Sequence, residues 1–307
     1  MAKSIETSIV VFILCFVLLS SEVKAGCVWN ETSSEPTVHC NLRILDFRRN
    51  SSDVVPAAGI KNAGAIRMNI ECSDVFFFES QLRSDHLGNL DRLQDLEISY
   101  CKIRQLPPRS FVGLTRLRRL AIHTHNSDWT SLSLEPDYES LVGLDLLETL
   151  DLTNNNLRRM PVGLLCPLVN LKTVNVSNNS IQDLVDLGLS SFATTNNETQ
   201  ASNIKACQVP RALETLIISN NGLRTATPGA LSALGGKIKK LVLARNQISV
   251  LVEHTLLGLE NLEHIENVGV GACVGAGAGV DADVDVDVDV PVDMGVSVDV
   301  EEPRPAE

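Results

Sequence analysis

The sequence predicts an α/β solenoid, a horseshoe of stacked coils with short parallel strands on the concave face. The pattern L-x-x-L-x-L-x-x-N-x-L recurs from positions 93, 117, 147, 171, 213, 238 and 262, with steps of 24, 30, 24, 42, 25 and 24 residues. Steps near 24 residues are typical of extracellular leucine-rich repeats. Hydrophobic residues make up 44% of the chain and aromatic residues only 4%, which suits a core of stacked aliphatic layers.

The first element, residues 1–25, is predicted to be a signal peptide. Lys3 precedes the apolar run Ile9–Leu19, and Val23-Lys24-Ala25 fits the small-x-small cleavage pattern. The alternative is a membrane anchor, but the apolar run is short for a bilayer span. We therefore expect secretion, a mature chain that begins near Gly26, and no membrane span in this sequence.

The second element, residues 26–65, is predicted to cap the open end of the solenoid. Cys27 and Cys40 are interpreted as a disulfide in this cap, since an oxidising compartment favours disulfides over metal ligation. Two further pairs are candidates. Cys72 and Cys101 fall at the same level of adjacent coils, and Cys166 could pair with Cys207 to hold the long insertion 190–212 against the convex face. Spacing alone does not establish these pairings.

The third element, residues 66–266, is predicted to hold about eight repeats, the last one incomplete. In each repeat the L-x-L segment forms a strand with alternate residues inward. The Asn side chain is expected to bond to backbone groups of its own turn and of the next coil. Cys101 takes this ladder position in one repeat, as a small buried residue, and His125 is expected to take it in the next.

The last element, residues 267–307, is a low-complexity tail, Gly/Ala-rich and then alternating Val and Asp. It contains ten acidic residues and one basic residue, so the rest of the chain is near neutral despite a net charge of −12. Period-2 alternation is a strand pattern, but aspartates on one face would repel each other, so we expect disorder. The abrupt loss of the repeat suggests a truncated array.

The charge, the motifs and the spacings do not indicate an enzyme, a cofactor, a metal site or nucleic-acid binding. In the predicted register His123 and His125 point in different directions, so the His-x-His pattern is interpreted as structural. A solenoid of this kind binds partners on its concave strand positions and inserted loops. The candidate partner-binding residues are Asp95, Glu97, Ser99, Arg119, His123, Trp129, Thr149, Asp151 and Thr153. The alternative for each residue is a solvated strand position.

Five Asn-x-Ser/Thr sequons indicate glycosylation of a secreted chain. The candidate acceptors are Asn30, Asn50, Asn175, Asn178 and Asn197.

Several segments resemble the ectodomain of insect-type Toll receptors, in the Toll-like receptor family. They are Cys40-Asn-Leu-Arg, Ile70-Glu-Cys-Ser-Asp-Val-Phe-Phe-Phe78, Thr124-His-Asn-Ser-Asp-Trp129 and Cys166-Pro-Leu168. The resemblance covers roughly residues 27–266. It implies the N-terminal part of the ligand-binding ectodomain of a type I membrane receptor in innate immune or developmental signalling.

The resemblance also implies partners and location. The partner would be a cystine-knot cytokine-like protein or another surface receptor, and receptor dimerisation is a further expectation. The chain would follow the secretory pathway to the cell surface or the extracellular space. The alternative is a secreted leucine-rich repeat decoy, or a matrix or adhesion protein.

Overall fold

In the computed structural model, the chain forms a parallel solenoid whose concave face is one continuous sheet. The structure describes residues 26–30, 35–45, 64–73, 78–83, 87, 90–126, 132–189, 210–224, 227, 229–248, 256, 259–266 and 287–288. The eleven-stranded sheet contains β1 (Gly26–Asn30), β2 (Thr37–Leu42), β3 (Arg67–Cys72), β4 (Asp95–Ser99), β6 (Arg119–His123), β8 (Thr149–Asp151), β9 (Thr173–Asn175), β10 (Thr215–Ile217), β11 (Lys240–Val242), β12 (His264–Glu266) and β13 (Asp287–Val288).

Neighbouring strands from β2 to β12 pair in parallel, so each coil advances by one strand. A second, two-stranded parallel sheet joins β5 (Gln105–Leu106) to β7 (Glu135–Pro136). The described return segments also contain 3₁₀ helices at Leu184–Leu187 and Ser232–Lys237. The predicted solenoid with parallel concave strands is confirmed.

The core consists of the repeat leucines in stacked layers. Leu96, Leu120, Leu150 and Leu216 are all fully buried, and each occupies the same strand position in its coil. Strand β4 shows the alternation directly, since Leu96 and Ile98 are buried while Asp95, Glu97 and Ser99 are half-buried. No coil can bury its apolar face alone, so the stacking of neighbours supplies the stability.

Asparagine side chains connect the coils where the chain leaves each strand. The Nδ2 of Asn179 donates to the carbonyl of Leu152 at 2.9 Å, and its Oδ1 accepts from the backbone N–H of Asn155 at 3.0 Å and of Leu157 at 2.9 Å. Asn221 and Asn246 repeat this arrangement one and two coils further on. The ladder satisfies buried backbone groups that the irregular turn would otherwise leave unpaired.

The structure corrects one ladder assignment. Asn126, not His125, is the ladder residue of its coil: it is fully buried and donates to the carbonyl of Ile103 at 3.0 Å. His125 instead has a positive φ of 53°, and Tyr100, immediately before the ladder residue Cys101, has a φ of 57°. The coil has one extra residue, Thr124, between the strand and the turn. The repeat pattern assumes a fixed number of residues between the strand and the ladder position, so it could not predict this insertion.

Two predicted disulfides are confirmed. Cys27 and Cys40 pair across the antiparallel β1–β2 cap, and Cys72 pairs with Cys101 of the next coil. Cys166 is also disulfide-bonded. Cys207, its predicted partner, lies outside the described residues, as do residues 1–25, predicted to be a signal peptide, and most of the tail. Within the tail, Asp287–Val288 pairs antiparallel with β12.

Candidate functional site

The concave face presents three side-chain columns, one from each outward position of the strands. In β4 these positions are Asp95, Glu97 and Ser99, all half-buried between buried leucine and isoleucine side chains. The register aligns Asp95 with Arg119 and Ser99 with His123 in the next coil. Parallel pairing therefore brings the predicted binding residues of successive coils side by side, with strands about 4.8 Å apart.

An ion-pair cluster joins β4 to β6 on this face. Arg119 Nη1 lies 2.9 Å from Asp95 Oδ1 and 3.4 Å from Glu97 Oε2. Ser99 Oγ donates to Glu97 Oε1 at 3.3 Å. Burial lowers the pKa of Arg119, but the two carboxylates outweigh it and raise the pKa above its ordinary value. The cluster holds one guanidinium against two carboxylates and so leaves an excess negative charge.

A second cluster lies on the next coils. His123 Nε2 is 3.3 Å from Asp151 Oδ1, and the same carboxylate oxygen accepts from the backbone N–H of Thr153 at 3.0 Å. The hydroxyl of Thr153 also donates to it. Burial raises the pKa of Asp151, but its contacts with His123 and Thr153 outweigh this effect and hold the pKa below its ordinary value. Asp151 is therefore a fixed anion at neutral pH.

The character of the face changes along the solenoid. Arg67 precedes Asp95 and Arg119 in their column, the following three coils carry Thr149, Thr173 and Thr215, and the last two strands carry Lys240 and His264. The charged clusters thus lie in the N-terminal coils. The structure places every predicted binding residue on this face except Trp129, which lies outside the described residues.

One charge pattern at the edge of the sheet was missed by the sequence analysis. The residue after the first leucine of each repeat alternates in sign over six repeats: Arg118, Glu148, Lys172, Glu214, Lys239 and Glu263. Glu148 pairs with Arg118 and with Lys172, the latter at 2.7 Å, and Lys239 lies 3.3 Å from Glu214. Comparing the same position in every repeat would have revealed this ladder.

An aromatic pair was also missed. The rings of Tyr100 and His125 stack with centroids 4.3 Å apart and an interplanar angle of 7°. They lie in adjacent coils at the rim where the strands end, and 39% of Tyr100 remains exposed. The stack depends on the Thr124 insertion, which moves His125 level with Tyr100.

Comparison with known proteins agrees with this architecture. Family models described as leucine rich repeat match residues 211–266 and 146–168. Toll-like receptor 7 of Drosophila melanogaster is 35% identical over 242 residues, which is 77% of this chain and 15% of that protein. The chain is a leucine-rich repeat protein similar to Toll-like receptor ectodomains. It spans less than a third of the length of the curated Toll-like receptors it matches.

Other leucine-rich repeat proteins share less with the chain. Toll-like receptor 3 of Bos taurus is 32% identical over 59% of this chain and 19% of that protein, and Podocan of Mus musculus is 32% identical over 51% and 25%. The solved structure "Crystal structure of TLR13-ssRNA13 complex" is 20% identical, with a TM-score of 0.46 over 69% of this chain and 30% of that chain.

The predicted glycosylation sites of this repeat protein fall in different places. Asn30 is exposed at the end of the cap strand β1, and Asn178 is exposed at a turn. Asn175 lies on the concave face, and its Oδ1 accepts from the backbone N–H of Ser177 at 3.0 Å. Asn50 and Asn197 lie outside the described residues. Glycosylation of each asparagine stays a prediction.

The described ranges contain neither a candidate metal cluster nor a candidate membrane-spanning helix. They contain no group of three or more His, Cys, Asp or Glu side chains that could hold a metal ion. Within the same ranges, no helix has both the length and the apolar character needed to cross a bilayer.

Proposed function

We propose that this chain is part of the ligand-binding ectodomain of a Toll-type cell-surface receptor, and that it binds a protein through the concave face of its N-terminal coils. The similarity to Toll-like receptor 7 over 77% of the chain supports the receptor class. The match covers only 15% of that receptor, so the signalling role and the partners of a full receptor are part of the proposal.

The observation that carries the proposal is the pair of ion-pair clusters on β4, β6 and β8. Asp95, Glu97 and Asp151 are held in place by neighbours in the same sheet and remain partly exposed. Side chains fixed before binding lose little conformational entropy when a partner docks. Charged side chains at such positions affect the choice of partner and the association rate more than they affect the binding affinity.

The sign of this face favours a protein partner over a nucleic acid. Three carboxylates face one arginine and one histidine across the two clusters, and phosphate groups would be repelled by that excess. A cystine-knot cytokine-like protein or another surface receptor remains the proposed partner class, with receptor dimerisation as a further part of the proposal. Disulfides at Cys27–Cys40 and Cys72–Cys101 support the secretory pathway and an extracellular location.

Charge reversal on the concave face tests the proposal. The double variant Glu97→Arg/Asp151→Arg, made in the full chain, is compared with wild type for binding to purified cystine-knot proteins and receptor ectodomains by surface plasmon resonance. We expect at least a tenfold loss of affinity, mainly through slower association.

A matched control reverses two charges away from this face. Glu135 lies on β7 of the two-stranded sheet and Glu139 lies just after it, so Glu135→Arg/Glu139→Arg makes the same change in net charge elsewhere. Circular dichroism verifies that both double variants are folded. Equal affinities for wild type and the concave variant, for every partner that binds, would refute the concave-face proposal.

The alternative, a secreted decoy or a matrix or adhesion protein, predicts a different transcript. A transcript that continues past residue 266 into more repeats, a membrane helix and a signalling domain supports the receptor. A transcript that contains the Val-Asp tail and its stop codon supports the secreted form.

A further inference from the structure

One position of the coil carries aromatic side chains in two adjacent repeats. The residue just before each ladder side chain has a left-handed backbone in six successive coils, with φ between 50° and 60°. Three of the six are asparagine, which tolerates this conformation. They are Asn154, Asn178 and Asn220. Tyr100, His125 and Arg245 occupy the same position in the other three coils. Histidine also tolerates this conformation, whereas the bulky side chain of Tyr100 is disfavoured there.

Packing within the chain explains only part of why an exposed tyrosine occupies this position. The stack covers the facing sides of the Tyr100 and His125 rings, yet 39% of Tyr100 stays exposed. Phe78 is 51% exposed and lies two residues before Ser80. Ser80 forms a parallel bridge with Ile103, three residues after Tyr100, so Phe78 lies near the end of β4. Exposed aromatic rings therefore line one rim of adjacent coils. Disfavoured backbone conformations cluster at functional sites, so the exposed ring of Tyr100 is a candidate for a binding role.

Carboxylates flank the same rim. Glu79 directly follows Phe78 and is exposed, and Glu71 is exposed at the strand position paired with Ser99, the residue before Tyr100. Within the described part of the chain, neither Glu71 nor Glu79 has an ion-pair partner. They differ in this respect from Asp95 and Glu97, which Arg119 already neutralises in part.

We propose that this rim, made of Glu71, Phe78, Glu79, Tyr100 and His125, is an anchor site for an arginine-bearing segment of a protein partner. A guanidinium group is planar, stacks on aromatic faces and pairs with carboxylates, so it matches both components of the rim. A lysine ammonium matches only the charge. The site adds a second contact surface to the concave face and rests on the proposed protein-binding function.

The structure itself suggests the test variant. Tyr100→Asn/His125→Asn installs the residue that neighbouring coils carry at this backbone conformation, so the fold is expected to keep its melting temperature or gain a few degrees. Tyr138→Asn is the matched control, since Tyr138 is 43% exposed but lies beyond β7, away from the rim.

The probe is a library of random nine-residue cyclic peptides displayed on phage and selected on the wild-type full chain. We expect the enriched peptides to contain arginine. By isothermal titration, the best peptide should bind Tyr100→Asn/His125→Asn at least tenfold more weakly and Tyr138→Asn unchanged. Replacing its arginine by lysine should weaken binding about fivefold.

Three results would overturn the proposal. They are enriched peptides without arginine, equal affinity for wild type and the double variant, or displacement of the peptide by a neutral sugar such as mannose, which would indicate a carbohydrate platform. The readout is independent of the concave clusters. Glu97→Arg/Asp151→Arg separates the two proposals. If this variant still binds the arginine peptide and also binds the natural partner as wild type does, the rim site stands and the concave-face proposal fails.

Discussion

Removal of the Asn155 side chain is the most direct test of what holds the coils together. Asn155 is fully buried, its Nδ2 donates to the carbonyl of Ile122 at 2.7 Å, and its Oδ1 accepts from the backbone N–H of Thr124 at 2.9 Å. Asn155→Ala removes both bonds and leaves two backbone groups unpaired in the interior between β6 and β8.

The expected cost follows from those two groups. Each buried unsatisfied donor or acceptor costs about 1–3 kcal/mol. With two such groups left unpaired, we expect Asn155→Ala to lower the free energy of unfolding by about 2–6 kcal/mol. Asn170→Ala is the control, since the Asn170 side chain donates one bond to the carbonyl of Asp145 at an exposed site. It should cost no more than about 1 kcal/mol.

Urea denaturation followed by far-ultraviolet circular dichroism measures both values. The slope of free energy against urea concentration must stay the same in wild type and variants, because a changed slope would mean that the coils no longer unfold together. A cost for Asn155→Ala that is no larger than that for Asn170→Ala would refute the reasoning, since the ladder would then be dispensable.

Three further changes test other contacts. Cys72→Ala/Cys101→Ala removes a disulfide with a sequence separation of 29 residues and should cost about 3–4 kcal/mol in urea denaturation, and an unchanged midpoint would contradict this. Asp151→Asn should destabilise the protein at neutral pH but progressively less below about pH 4. The reason is that the lowered pKa of Asp151 contributes stability only while the carboxylate is ionised, and this stability is lost on protonation. If the difference in melting temperature between wild type and Asp151→Asn does not vary with pH, the lowered pKa is not its cause. Glu148→Lys places three cations in a row at the sheet edge and should lower the melting temperature at low salt, with a smaller deficit in 0.5 M NaCl if the effect is electrostatic.

The sequence already carried the periodic part of this architecture. A step near 24 residues with leucines at fixed offsets requires that equivalent leucines stack, since a single coil cannot bury its apolar face. The positions of β4, β8 and β10, and the alternation that exposes Asp95 and Glu97, follow from that pattern. The Cys27–Cys40 pair was also predictable, because a solenoid end needs a cap and an oxidising compartment favours a disulfide.

Only the tertiary structure decided which side chains meet across coils. The ladder role of Asn126 in place of His125, the stack of Tyr100 on His125 and the two ion-pair clusters all depend on the alignment of one coil with the next. One inserted residue, Thr124, shifts that alignment without changing the leucine pattern. The repeat determines the fold because burial is periodic, whereas contacts between coils depend on single-residue offsets that periodicity does not encode.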